Sequence, residues 1–174
     1  MGVKIRGIFK EGGQNDITYR GDYIKGIEAQ TVAYASCKGP YDQIGSVFEE
    51  LFAWIGKKGY TPAGPPGGFY FNNPEQVAAE ELLWELYCPL GGEVPIAEPG
   101  AEGIGVKKTE PREVAATIHK GPWEKAGEVY AHFVSWIEAN GYEIAGPAEE
   151  VYLSDPKTPP QEMLTEVRFA ARKK

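Results

Sequence analysis

Two glutamates and two tyrosines recur at matching positions along this chain of 174 residues, and their types suit recognition of a small organic molecule. Glu85 and Glu166 each sit inside a run of strand-forming residues, Leu82-Leu83-Trp84-Glu85-Leu86 and Met163-Leu164-Thr165-Glu166-Val167, and Tyr70 and Tyr152 lie in shorter runs upstream. Successive residues of a strand face opposite sides. If the more apolar sets pack on helices, meaning Leu82, Trp84, Leu86 and Cys88 in one run and Met163, Thr165, Val167 and Phe169 in the other, the two glutamates fall on the helix-free face. With Phe69, Phe71, Val151 and Leu153 as the core residues of the upstream runs, Tyr70 and Tyr152 join them there. A carboxylate ringed by Tyr and Trp in a concavity is a sound receptor for a lipophilic cation, because aromatic faces attract cations and the carboxylate adds a longer-range pull. The same group, its pKa raised by burial, can serve as a general acid or base. Glu and Tyr on the outer face of an antiparallel sheet can also be solvated or cross-strand paired, and all three alternatives stay open at this level.

The elements that must position these residues come from an internal repeat. Tyr34-Ala-Ser-Cys-Lys-Gly39-Pro40-Tyr41-Asp42 aligns with Ala116-Thr-Ile-His-Lys-Gly121-Pro122-Trp123-Glu124 at an offset of 121 − 39 = 82. The match continues through Phe48 and Tyr130, Trp54-Ile55 and Trp136-Ile137, Gly59-Tyr60 and Gly141-Tyr142, Tyr70 and Tyr152, and Pro74 and Pro156; Glu85 and Glu166 then align at 166 − 85 = 81. Each copy predicts an extended segment (Val32 to Cys37; Val114 to His119), then a Gly-Pro pair opening a helix with an acid near its positive end. Apolar residues at i, i+4, i+7 and i+11 give each helix one stripe, Ile44, Phe48, Leu51 and Ile55 against Ala126, Tyr130, Phe133 and Ile137, and Gly59 and Gly141 end the two helices. Two short strands follow, near 69–71 and 82–88 and near 151–153 and 163–169. One helix cannot cover a three-stranded sheet and leave no open edge, so two such units gain by joining. The expected fold is α+β: duplicated β-α-β-β units forming one antiparallel sheet, two main helices on one face and a ligand cleft between the halves. The divisions are an N-terminal extension (1–22) with Gly and Asn-Asp turn signals, a first repeat (23–90), a Gly- and Pro-rich linker (91–103) and a second repeat (104–174).

Composition excludes several classes. The net charge of −7 and pI near 5.0 disfavour direct nucleic-acid binding, which draws its affinity from clustered Lys and Arg. The one basic cluster, Arg168, Arg172, Lys173 and Lys174, reads as a solvated tail. No apolar run is long enough to span a bilayer and no secretory signal opens the chain, so a cytoplasmic location with no membrane partner is expected. Cys37, Cys88, His119 and His132 lack metal-site spacing, and neither a metal nor a cofactor is expected.

The series His119-Lys-Gly-Pro-Trp123, Trp136-Ile137, Asn140-Gly141-Tyr142, Gly146-Pro147, Glu150-Val-Tyr152, Pro156 and Leu164-Thr-Glu166-Val resembles the GyrI-like small-molecule-binding family, which includes effector-binding domains of multidrug-responsive transcription regulators; the first copy matches more loosely, over about residues 23 to 172 in all. The resemblance implies a cleft between the halves in which Glu166 contacts ligands. Glu85, Tyr152, Tyr70, Trp123, Tyr130, Tyr41 and Trp84 are the accompanying candidates for ligand contact. It implies first a freestanding binder of small lipophilic or cationic aromatic molecules without a DNA-binding module. The second implied function is a hydrolase of cyclopropanoid DNA-alkylating toxins, with Glu166 activating water and Tyr152 assisting as the catalytic pair. The third is contact with DNA gyrase or a regulator partner.

Overall fold

The computed structural model describes residues 9–12, 16–19, 21–122 and 125–174. Near the N-terminus, β1 (Phe9–Gly12) and β2 (Asp16–Tyr19) pair with each other as a separate two-stranded sheet. The first unit consists of β3 (Tyr23–Ile27), β4 (Thr31–Lys38), α1 (Ile44–Lys58), β5 (Gly67–Tyr70) and β6 (Leu83–Pro89). The second consists of β7 (Ile104–Lys108), β8 (Arg112–Lys120), α2 (Ala126–Ala139), β9 (Tyr142–Tyr152) and β10 (Leu164–Lys173).

The entry to each helix is built the same way. Gly39 and Gly121 adopt φ of 132° and 134°, a backbone that side chains other than glycine's rarely adopt. Their N–H groups donate to the carbonyls of Leu82 and Met163, tying each helix start to the beginning of the last strand of its own half. Of the predicted stripes, Leu51 and Ile55 of α1 and Ala126, Phe133 and Ile137 of α2 are buried, while Ile44, Phe48 and Tyr130 are partly buried; Trp54, outside the predicted stripe, is buried as well. Two core clusters result, one under each helix. The α1 cluster takes Trp84, Leu86 and Cys88 from β6, and the α2 cluster takes Val167 and Phe169 from β10, so the strand alternation read from the sequence is the one that folds.

All eight strands of the main sheet pair antiparallel, in the order β3-β8-β10-β9-β5-β6-β4-β7. The halves meet where β5 pairs with β9, and Gly68 stands opposite Glu150. Tyr70 and Tyr152, equivalent in the repeat, are 82 apart, and so are Gly68 and Glu150 (150 − 68 = 82). The local twofold relating the halves therefore passes between Gly68 and Glu150. The outermost strands are exchanged: β3 pairs with β8 of the second unit, and β7 pairs with β4 of the first. Each half thus lends the other an edge strand, which joins them more firmly than the seam alone.

Three expectations change. β9 is an 11-residue strand running directly from the end of α2 to Tyr152, far longer than the segment expected near 151–153, because Gly146-Pro147 continues the strand without turning it. β10 extends to Lys173, so Arg168 lies within the sheet, in ion pairs with Glu149 and Glu166, and is not part of a solvated tail; Arg172, Lys173 and Lys174 are exposed, with Arg172 paired to Glu143 at the surface. Phe69 and Val151 do not lie under the helices, because the face they share is opposite to that of Tyr70 and Tyr152. No described helix is long and apolar enough to cross a membrane.

Candidate functional site

The helix-free face carries a buried ionic network. Glu166, 1% exposed, accepts hydrogen bonds from the Tyr23 hydroxyl at 2.8 Å and Lys25 Nζ at 2.9 Å, and from Arg168 Nε. Arg168 Nη1 also donates to Glu149 Oε1 at 2.9 Å, and Glu149 accepts from Arg112 Nη2 at 2.6 Å and from the Tyr87 hydroxyl at 3.1 Å. Burial by itself would push the Glu166 carboxyl up, yet Arg168 and Lys25 together outweigh it and hold it below its ordinary value. Lys25 is also drawn down, because its own burial and repulsion from Arg168 exceed what Glu166 returns. In the other half Glu85 accepts from Lys107 Nζ at 2.5 Å and Ser36 Oγ at 3.2 Å. Lys25 and Lys107 are themselves one repeat apart (107 − 25 = 82), and each lies on an exchanged strand. The two glutamates singled out from the sequence are therefore each clasped by a lysine lent by the opposite half.

The tyrosines lie on the other side of the sheet, in the seam between α1 and α2. The Tyr70 and Tyr152 hydroxyls meet each other above the local twofold. Tyr152 donates to Glu150 Oε2 at 3.0 Å, and Tyr130 of α2 donates to Glu150 Oε1 at 2.9 Å. Aromatic rings wall the seam: Tyr41 is edge-on to Tyr70 at 5.4 Å and to Trp84 at 6.4 Å, and Phe48 of α1 is edge-on to Tyr152 at 5.8 Å. Gly68 leaves open the position opposite Glu150, where an added Cβ would stand 3.0 Å from the Tyr70 hydroxyl. No lysine or arginine pairs with Glu150 among the described residues. Burial first, and then the Glu150 charge, push the phenols of Tyr41, Tyr70 and Tyr130 above their ordinary pKa; Tyr152 is raised by burial, by Tyr70 and by Glu150. All four stay protonated at neutral pH, and Tyr130 and Tyr152 serve the carboxylate as donors.

The structure thus brings together Tyr41, Tyr70, Trp84, Tyr130 and Tyr152 and sets Glu85 and Glu166 on the opposite face. Tyr70 and Tyr152 do not join those glutamates: β5 and β9 pair so that Glu150, Tyr152 and Tyr70 point toward the helices and Glu149, Val151 and Phe69 point away. Trp123 lies outside the described residues. Trp84 is 1% exposed and donates its indole N–H to the Gly39 carbonyl at 2.9 Å, so it is a wall of the seam's first half rather than a free contact. Sequence reasoning missed Glu150 as a site residue. The available signals were its i, i+2 spacing from Tyr152 and the fact that its repeat partner is a glycine, Gly68.

A duplicated antiparallel sheet with two helices on one face and an aromatic seam between the halves is the architecture of a small-molecule-binding domain, and residues 10–91 and 90–172 each match the GyrI-like small molecule binding domain. The chain belongs to that family. It is 32% identical over 110 residues to a protein of Erwinia billingiae named DNA gyrase inhibitor, covering 62% of this chain and 69% of that one. Its fold matches the EcmrR C-terminal domain with a TM-score of 0.75 at 19% identity, covering 88% of this chain and 98% of that one; in the EcmrR–DNA complex the chain spans 57% of the EcmrR chain. It also matches SAV2435 bound to tetraphenylphosphonium, with a TM-score of 0.55 at 11% identity, covering 88% of this chain and 94% of that one.

Proposed function

We propose that the seam binds small lipophilic cations or cationic aromatic molecules, with Glu150 as the counter-charge and Tyr41, Tyr70, Tyr130, Tyr152 and Phe48 as the aromatic wall. The carrying observation is that, among the described residues, Glu150 is held by phenol hydroxyls with no lysine or arginine against it, and the rings around it favour a cation over a neutral guest. Glu166 and Glu85, in contrast, already have cations against them. Entry of a ligand separates the Tyr70 and Tyr152 hydroxyls, which now close the seam.

Titration calorimetry with tetraphenylphosphonium tests this. Glu150→Gln should weaken binding by roughly tenfold or more, from the loss of one partly desolvated charge. Glu166→Gln should leave affinity near that of the wild type. The reverse outcome would move the site to the helix-free face and discard the seam. Incubation with a cyclopropanoid compound, followed by mass, decides between binder and hydrolase: ring opening that stops in Glu150→Gln would make the seam catalytic. The relative named DNA gyrase inhibitor supports a second reading, contact with gyrase, for which a supercoiling assay titrated with this protein is the test.

A further inference from the structure

The two ends of the seam are equivalent by repeat but differ in side chains. In the first half, Cys37, Trp84 and Tyr70 stand side by side across β4, β6 and β5, with Tyr41 packed on Tyr70 and Trp84. The matching row in the second half is His119, Thr165 and Tyr152, across β8, β10 and β9. A large indole whose N–H is satisfied by Gly39 is therefore replaced by a short side chain with a hydroxyl. Thr165 is 1% exposed, it shares the helix-bearing face with Val167 and Phe169, and its Oγ1 has no hydrogen-bond partner among the described residues. Its neighbour His119 has Nε2 engaged with the Pro122 carbonyl at 3.0 Å. A buried hydroxyl with nothing to bond is costly in a folded protein, and native structures seldom keep one without a use.

We propose that Thr165 is a specificity-determining residue of the seam: its hydroxyl receives the hydrogen-bonding substituent of an asymmetric lipophilic cation whose apolar end lies against Tyr41, Tyr70 and Trp84. The proposal rests on the reading that the seam binds lipophilic cations and adds a polar end and an orientation to it. Glu150 lies beside the local twofold and gives both halves nearly the same attraction for positive charge, so charge alone does not decide which way round a ligand sits. Thr165 against Trp84 decides it, one half offering a hydroxyl and the other an aromatic surface.

The test uses a matched pair of probes, tetraphenylphosphonium and (4-hydroxyphenyl)triphenylphosphonium. Wild-type protein should bind the hydroxyl-bearing probe about tenfold more tightly, the range expected of one buried hydrogen bond. The near-isosteric Thr165→Val should erase that preference while leaving tetraphenylphosphonium unchanged, and Thr165→Ser should retain it. Without ligand, Thr165→Val should melt no lower than wild type, because no hydrogen bond is lost. Equal weakening of both probes in Thr165→Val, an undiminished preference, or a clearly lower melting temperature would each overturn the proposal and make the hydroxyl a structural one. If wild type binds neither probe, the cation-binding reading itself has failed and this inference falls with it; a failure confined to the hydroxyl-bearing probe leaves the reading standing and removes only Thr165.

Discussion

The sheet carries carboxylates on both faces, and the two faces give them different company. On the helix-free face Glu149 and Glu166 share Lys25, Arg112 and Arg168, so every charge has an opposite within salt-bridge distance. On the helix-bearing face Glu150, the next residue along the same strand, is met among the described residues by the hydroxyls of Tyr130 and Tyr152. A buried carboxylate among guanidinium groups is part of the fold's own electrostatic balance, and removing either partner strands a charge. A carboxylate held by phenols is, on the function proposed above, the one left to attract a cationic ligand. The difference teaches that burial alone does not tell two carboxylates apart; the cations packed against Glu149 and Glu166 do.

This comparison can be broken or sharpened experimentally. The largest effect is expected from Arg168→Met, which removes the bridge between Glu149 and Glu166 and leaves each with a single cation, Arg112 and Lys25; the loss of two charge-assisted hydrogen bonds should cost about 3 kcal/mol in urea denaturation while leaving seam affinity nearly intact in the folded fraction. A loss below 1 kcal/mol would show the network to be dispensable. Next comes Gly67→Ala, whose Cβ would stand 2.5 Å from the Tyr87 hydroxyl and 2.6 Å from the Glu150 carbonyl oxygen. It should cost about 1–3 kcal/mol and loosen the joint between the halves, read as a lower melting temperature together with weaker tetraphenylphosphonium binding.

The pH dependence should be smaller and of defined sign. The Glu166 pKa is lower in the folded protein than in the unfolded chain, so its contribution is fully present above the ordinary carboxylate pKa and is lost as pH falls through the lowered value. Melting temperature should therefore decline on acidification more steeply in wild type than in Glu166→Gln; parallel curves would mean that the ion pairs give Glu166 no net advantage. The smallest effect is expected from Tyr70→Phe, which removes one hydroxyl from the contact that closes the seam. It should change stability by less than about 1 kcal/mol and leave tetraphenylphosphonium binding equal or slightly tighter; a marked loss of affinity would show that this hydroxyl contacts the ligand rather than closing the seam.

Much of the fold was legible because the repeat states every feature twice. The Gly-Pro helix entries, the apolar stripes and the alternation of Trp84-Leu86 and Val167-Phe169 are local patterns set by backbone geometry, and the facing of Glu85 and Glu166 away from the helices follows from that alternation. The candidate site was legible only as a set of aromatic residues. For Tyr70 and Tyr152 the alternation was read in the wrong phase: Phe69 and Val151 are the more apolar residues, and they were expected under the helices. Both instead face the ionic side, Val151 buried and Phe69 packed against Tyr87 and Arg112, because the buried aliphatic portions and rings around a salt network also exclude water.

By itself, the sequence determined that one unit occurs twice, where its helices begin and end, and which side chains alternate within each strand, since these depend on short-range geometry and on hydrophobic spacing. Tertiary structure decided which strand pairs with which: that β3 and β7 exchange halves and bring Lys25 to Glu166 and Lys107 to Glu85, and that β5 meets β9 in the register that sets Glu150 opposite Gly68. Register and strand order are fixed by contacts between residues distant along the chain, and a one-residue slip of β9 would have turned Glu149 toward the helices, away from Arg112 and Arg168, and Glu150 away from Tyr130.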